Sequence, residues 1–306
     1  MYDPPMSSTP HIELIAKLEE QFETLTPQTK KAARYVIDQP ADVAFYSMRE
    51  VAKRAGVPPG TLLRLSSALG LESYNSFREV YRNGMLDSQS GSSFTGKARD
   101  LQRAKRSSSS ATLLNEVLEI ELDNLKKTFA ANDPATVERA VKLLERGERV
   151  FVLGQRSCFP AAYFFNYVFR FLRSTSHLVD GQGGAFVDDL RAIGPGDTLL
   201  AISIEPYTAE VVGATEFARA QGANVVVITD SRVSPLRKSA TELLLTSNRS
   251  ASFFHSILSP LAVIQALIAL MAARGGEKTL ASIAHAEEQL EWFNVYWPQR
   301  GIGSVG

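Results

Sequence analysis

Five short apolar runs between residues 149 and 247 constrain the fold of this chain most. RVFVLG (149–154), STSHLV (174–179), DTLLAISI (197–204), NVVVITD (224–230) and ELLLTS (242–247) have strand length and are rich in β-branched residues. Helical patterns fit the intervals, at 160–172, 184–191, 208–221 and, after the last run, 256–273, with a short turn after Pro235. Strands that alternate with helices demand right-handed crossovers, so this half is expected to be an α/β three-layer sandwich with a five-stranded parallel sheet.

Residues 12–86 behave differently: they carry helix-period patterns and no convincing strand, which predicts an all-α domain. A chain of 306 residues is long for one core, so two domains are expected. The Ser-rich, basic stretch DSQSGSSFTGKARDLQRAKRSSSSAT has no means of building a core and marks a linker at 87–111. The expected organisation is therefore 1–86, 87–111, 112–292 and a tail at 293–306. Just past the linker, LLNEVLEIELDNLKKTF places Leu114, Val117, Leu118, Leu122 and Leu125 on one helix face, and Asp133-Pro134 opens a further helix.

Apolar residues make up 44% and charged residues 22%, as in ordinary globular proteins. Lys+Arg and Asp+Glu each number 33, so any attraction to nucleic acid must be local. The single cysteine, Cys158, excludes an internal disulfide framework and fits a cytoplasmic location. The four histidines are scattered, so no metal site is expected, and no cofactor. The N-terminus lacks the pattern of a secretory signal. Ile257 to Ala273, the most apolar stretch, is interrupted by Pro260 and Gln265 and reads as a buried helix rather than a membrane span.

MREVAKRAGVPPGTLLRLSSALGL, residues 48–71, breaks one amphipathic helix and restarts another. Ser47-Met48-Arg49-Glu50 has the form of a capping box, Gly56 can end the first helix in a left-handed conformation, and Pro59 suits the first turn of the second. Ser76-Phe77-Arg78-Glu79 reads as another capping box. Two helices joined by a short glycine-containing turn form a helix-turn-helix, whose second helix enters the major groove of double-stranded DNA. Thr61 and Arg64 are the candidates for base contact, and Lys53, Arg54, Arg78 and Arg82 for phosphate contact. Ser47, Pro59 and Gly60 complete the expected DNA-facing set. The same geometry also occurs in purely structural bundles.

In an open parallel sheet, ligands sit beyond the carboxyl ends of the strands where the strand order switches. Two loops fit that place, 155–158 and 203–208, and the candidate ligand residues are Gln155, Arg156, Ser157, Ser203, Glu205, Tyr207 and Thr208. Each loop leads into a helix start, where free amides favour an anion. The hydroxyls of Ser157 and Thr208 could equally be helix caps, and Cys158 either a reactive thiol or a small core residue.

These features resemble the RpiR family of bacterial transcriptional regulators, with a helix-turn-helix head and a SIS (sugar isomerase) domain. In the head the resemblance is carried by Thr26-Pro27, Tyr35-Val36-Ile37, Glu50-Val51-Ala52, Ala55-Gly56-Val57, Thr61, Arg64, Leu69-Gly70, Tyr74 and Phe77. In the tail it is carried by VFVLG, DTLLAIS, AEVVGATEFARAQGANVVVITD and Pro235-Leu236. It implies a flavodoxin-like SIS sandwich, a homodimer or homotetramer, and operator binding controlled by a sugar phosphate or related metabolite. One departure stands out: SIS domains that hold a sugar phosphate usually carry Ser-x-Ser-Gly-x-Thr, and here Glu205 and Pro206 replace the inner serine and glycine. A carboxylate repels phosphate and a proline has no amide to donate.

The expected function is thus a ligand-responsive DNA-binding regulator of metabolic genes and not an enzyme. The alternatives are a sugar-phosphate isomerase using Glu205 or His255 as base, or a SIS interaction module without ligand.

Overall fold

The computed structural model describes residues 10–91, 94–105 and 109–297. The chain divides into two compact units, one of residues 1–122 with 231–234 and 249–256, the other of residues 123–230 with 235–248 and 257–306.

The first unit is helical: α1 (Pro10–Gln21), α2 (Pro27–Asp38), α3 (Pro40–Phe45), α4 (Met48–Ala55), α5 (Pro59–Ala68), α6 (Tyr74–Gly91), α7 (Phe94–Lys105) and the first part of α8 (Ser110–Ala131). Proline opens α2, α3 and α5, where its missing N–H costs no hydrogen bond. Leu18, Val36, Val51, Leu62, Leu65, Phe77 and Tyr81 meet in a fully buried core, with the Phe77 and Tyr81 rings 4.9 Å apart. Between α4 and α5, Gly56 is left-handed (φ +62°) and its N–H closes on the last carbonyls of α4, as expected.

Two local expectations need correction. The capping box at Ser47 is half formed: Ser47 Oγ accepts the Glu50 N–H at 3.3 Å, but the Glu50 carboxylate takes Arg54 Nε at 3.0 Å. The box expected at Ser76 lies inside α6, and Ser73 is the residue that accepts the Ser76 N–H, at 3.1 Å. In the stretch expected to be a linker, 87–111, the described residues are helical, with Lys97, Arg99, Asp100 and Arg103 exposed on α7, and Ser109 caps α8 by accepting the Thr112 N–H at 3.1 Å.

The second unit continues α8 and adds α9 (Pro134–Arg146), β1 (Val150–Gly154), α10 (Phe159–Leu172), β2 (Ser176–Leu178), α11 (Phe186–Asp189), β3 (Thr198–Ile202), α12 (Ala209–Ala220), β4 (Asn224–Thr229), β5 (Glu242–Leu245), α13 (Leu258–Arg274) and α14 (Gly276–Trp292). All strand pairs are parallel, in the order β2-β1-β3-β4-β5. Alternation sorts the strand residues between two cores. Val150, Val152, Leu200, Ile202, Val226 and Ile228 pack with α9, α10 and α13, whereas Phe151, Leu153, Leu199, Ala201, Val225 and Val227 pack with α12 on the other face. The expected helix at 257–273 is α13, with Val263, Ile264, Leu267 and Met271 inside. No sequence expectation covered α14, which buries no residue fully and bends 114° away from α13. Among the described residues no single helix is long and apolar enough to cross a bilayer.

One ion pair ties the amino ends of β1 and β3. Arg149 clamps Asp197 with Nε and Nη2 at 3.0 and 2.7 Å, and Asp197 also accepts the N–H groups of Arg149 and Gly194. Burial alone would push the Asp197 carboxyl up, but these four donors overcome it and hold it below the usual aspartate range. The contribution is therefore present above an unfolded pKa of about 3.9 and lost as pH falls through the lower folded value. Asp197→Asn is expected to destabilise the fold by about 2–3 kcal/mol at neutral pH, with the difference from wild type shrinking below pH ~4, measured by urea unfolding.

Candidate DNA-facing helix and ligand loops

The second helix of the turn motif, α5, has one face in the core and one outside. Thr61, Leu62, Leu65 and Ser66 are buried, while Gly60, Leu63, Arg64 and Ser67 share the exposed side at i, i+3, i+4 and i+7 spacing. This places the expected residues unequally. Arg64 is exposed, folded against its own first turn with Nε donating to Gly60 O at 3.3 Å. Thr61 is only 1% exposed and within 3.5 Å of Arg64 Nη2, so its expected base contact is corrected: it supports Arg64 from inside. Pro59 and Gly60 are exposed, and a Cβ on Gly60 would meet no atom within 4 Å, leaving this helix start open to a phosphate backbone. Leu63 and Ser67 were not anticipated, although their helical spacing from Gly60 was available.

The expected phosphate contacts are also redistributed. Lys53 is exposed. Arg54 is committed inside the chain, at 3.0 Å from Glu50, 3.2 Å from Asp42 and 3.9 Å above the Tyr46 ring. The hydroxyl of Tyr35 and the Arg54 guanidinium together hold the Asp42 carboxyl below its ordinary range against the opposing effect of burial. Arg78 is half-buried, its Nε without a hydrogen-bond partner, and Arg82 ties α6 to α3 by donating to Ala44 O at 2.9 Å. Ser47 uses its hydroxyl to cap α4. The charged surface is thus narrower than the count of basic residues implies.

In the sheet unit, β1 and β3 are neighbours and Gly154 pairs with Ile202, so loops 155–158 and 203–208 leave the sheet side by side at its carboxyl edge. A Cβ on Gly154 would lie 2.7 Å from Cys158 O and 3.0 Å from Ala162 Cβ, so only glycine admits the tight turn into α10. Arg156 is exposed with φ +53°, a left-handed conformation that costs a non-glycine residue roughly 1–3 kcal/mol. Cys158 is buried, and burial pushes its thiol up although the Ile204 backbone and Ser157 pull the other way. It is a core residue and not an activated thiolate.

The 203–208 loop is pinned to the end of β4. Asp230 accepts the Glu205 N–H at 3.1 Å and the hydroxyls of Tyr207 and Thr229 at 2.9 and 3.3 Å. The Glu205 amide is therefore spent on Asp230, and Pro206 has none. Two donors that a phosphate cradle would use here are unavailable to an anion. Ser203 is buried, Glu205 is exposed, and Gln155, Ser157, Tyr207 and Thr208 are half-buried. Thr208 does not cap α12 with its hydroxyl, contrary to the simplest expectation for it, while the His255 ring lies tilted by 44° against Phe254 with ring centres 4.3 Å apart.

Residues 142–270 match the SIS domain family. A curated HTH-type transcriptional regulator of Haemophilus influenzae is 23% identical over 295 residues, covering 94% of this chain and 97% of that protein. Another, from Clostridium perfringens, is 23% identical and covers 76% of this chain and 82% of its own length. The sugar isomerase domain of an RpiR transcription factor from Sphaerobacter thermophilus superposes with a TM-score of 0.55 at 26% identity, covering 57% of this chain and 98% of that one. The Vibrio vulnificus NanR protein, complexed with ManNAc-6P, superposes at 0.55 with 19% identity over 92% of this chain and 98% of its own.

Removing the acceptor that holds the second loop should release it. In Asp230→Ala, hydrogen exchange at the Glu205 amide is expected to accelerate at least about tenfold, with a stability loss of about 1.5–3 kcal/mol. Unchanged exchange would mean that Asp230 does not order the loop.

Proposed function

We propose that the chain is a helix-turn-helix transcriptional regulator of the RpiR kind, in which α5 reads operator DNA and a polar metabolite at the 155–158 and 203–208 loops of the SIS domain controls that reading. The observation that carries the DNA half is the partition of α5, with Gly60, Leu63, Arg64 and Ser67 outside and the opposite face buried. Arg64 suits bidentate contact with guanine or a phosphate bond, and Leu63 suits a thymine methyl. Lys53 supplies a salt-sensitive backbone contact.

The effector is a sugar phosphate or a related polar metabolite. Arg156 and the hydroxyls of Ser157, Ser203 and Thr208 are its candidate anchors. Glu205 adds an acceptor at the rim, and the committed Glu205 amide and the proline beside it weaken any phosphate cradle, which favours ligands rich in hydroxyl or ammonium donors. The curated relatives are named as regulators, which supports a SIS domain without turnover. Two copies of the chain present two recognition helices to two half-sites, and effector binding shifts the population of dimer geometries that match their spacing.

In titrations at fixed salt, Arg64→Ala is expected to weaken binding to the chain's own promoter fragment by about 1–3 kcal/mol, and Lys53→Ala to weaken all sequences alike and flatten the salt slope. Equal affinity of wild type and Arg64→Ala would remove α5 from the readout. A thermal-shift screen of sugar phosphates, sugar acids and amino-acid-like metabolites tests the effector half. A bound compound at one hundred times its Kd stabilises by about 2.7 kcal/mol, and Arg156→Ala should abolish the shift if the bound compound is an anion.

A further inference from the structure

Helix α2 carries two cations, Lys31 and Arg34, that no acid among the described residues neutralises. They stand three residues apart on one side of the helix, with Lys30 beside them, and line an open cavity of about 520 Å³ inside the helical unit. Its floor is aromatic. Lys30 Nζ lies 5.6 Å and Arg34 Cζ 5.7 Å from the centre of the buried Phe22 ring. Lys31 donates to the Gly56 carbonyl at 3.1 Å, at the carboxyl end of α4, where the helix dipole favours a cation. No acidic side chain among the described residues lines this cavity. Tyr35 does line it, but its hydroxyl turns to Asp42, and that carboxylate is taken by Tyr35 and Arg54. Glu50 and Glu79 are likewise matched, with Arg54 and Arg82. The head thus spends its acids on its braces and leaves a positive potential in this concavity, which draws an anion.

Position selects the anion. Ala55, the last residue of α4, lines the cavity, and Lys31 is bonded to Gly56 in the turn itself. Helix α5 starts three residues further on, at Pro59, with an open first turn at Gly60. The cavity therefore adjoins the turn that launches α5, within the same compact unit. A duplex that receives α5 in its major groove carries a sugar-phosphate strand along the rim of that groove. Lys31 and Arg34 stand about 4.5 Å apart along the helix axis, near the ~3.4 Å of duplex axis that separates successive charges on one strand. Successive phosphates can thus meet successive cations, and Leu25 and Pro27 give the intervening deoxyribose an apolar wall.

We propose that the α2 cavity seats the sugar-phosphate backbone of the DNA duplex, with Lys31 and Arg34 as its phosphate contacts. The inference rests on the reading that α5 enters operator DNA, and it adds a grip outside the turn motif that holds the protein in register without reading sequence.

Titration of the full-length protein with its own promoter fragment and with an unrelated duplex, at several salt concentrations, tests it. Lys31→Gln with Arg34→Gln is expected to weaken both duplexes by the same factor, at least about tenfold at about 0.1 M salt. The slope of log K against log salt should flatten by about 1.8, for two lost phosphate contacts at ~0.9 each. Arg34→Gln alone, which leaves the bond to Gly56 in place, should flatten it by about 0.9. Arg64→Ala differs in kind, because it loses discrimination between the two duplexes. Lys31→Arg with Arg34→Lys keeps both charges and should bind with the wild-type slope, an exchange that a purely packing role would not tolerate. Wild-type affinity and slope in Arg34→Gln, beside an Arg64→Ala chain that still loses discrimination, would overturn the backbone seat and leave α5 as the reader. A wild-type chain that retains neither duplex at low salt overturns both. If inorganic pyrophosphate raises the thermal midpoint of wild type but not of Arg34→Gln, while the salt slope is the same in both, the cavity belongs to a small anion and the seat is again overturned.

Discussion

Where β1 meets β3, the last hydrogen-bonded pair is Gly154 with Ile202, and everything at the carboxyl edge of the sheet follows from that register. The two strands deliver their loops next to each other because the strand order reverses between them. Gly154 allows the first loop to turn within the space of a single Cβ, bringing the Cys158 backbone against the strand. At the opposite edge, the Arg149–Asp197 clamp holds the beginnings of the same two strands. The loops are thus mounted on a pair of strands fixed at both ends, and the chemistry between them is set by which amides remain free. Asp230 takes the Glu205 amide, so the loop is ordered by an internal acidic residue rather than waiting for an external anion.

The helical head solves a different problem, which is to keep one helix half out of its own core. Gly56 supplies the left-handed residue that lets α5 start at a sharp angle to α4. Leu62 and Leu65 then anchor α5, and Thr61 is drawn inside with them. Several arginines that a charge count assigns to DNA are instead braces: Arg54 joins α4 to Asp42, and Arg82 joins α6 to α3. A brace of this kind costs little stability if exposed, but it removes the cation from the surface available to phosphate.

Helix α8 shows how an amphipathic pattern can mislead about direction. Its leucine stripe has the form of a core-facing surface, yet the buried side is the one with Asn124, Thr128 and Asn132, because β5 ends in backbone donors and acceptors that only polar side chains can satisfy. Along this helix, hydrogen bonds to the sheet outrank apolar burial.

The amino-acid sequence by itself determined the helical head, the five parallel strands and the two loops at their carboxyl ends, since period, proline and glycine placement and run length are local signals. It also marked Glu205 and Pro206 as a departure from an anion cradle. What only the tertiary structure decided is which side of each amphipathic helix is covered and which polar group each side chain spends itself on. Thr61 inward, Arg54 on Asp42, Asp230 on the Glu205 amide and the outward leucines of α8 all depend on partners far away in the chain. Spacing along one segment fixes which residues share a face, but the neighbour that covers that face comes from elsewhere in the sequence.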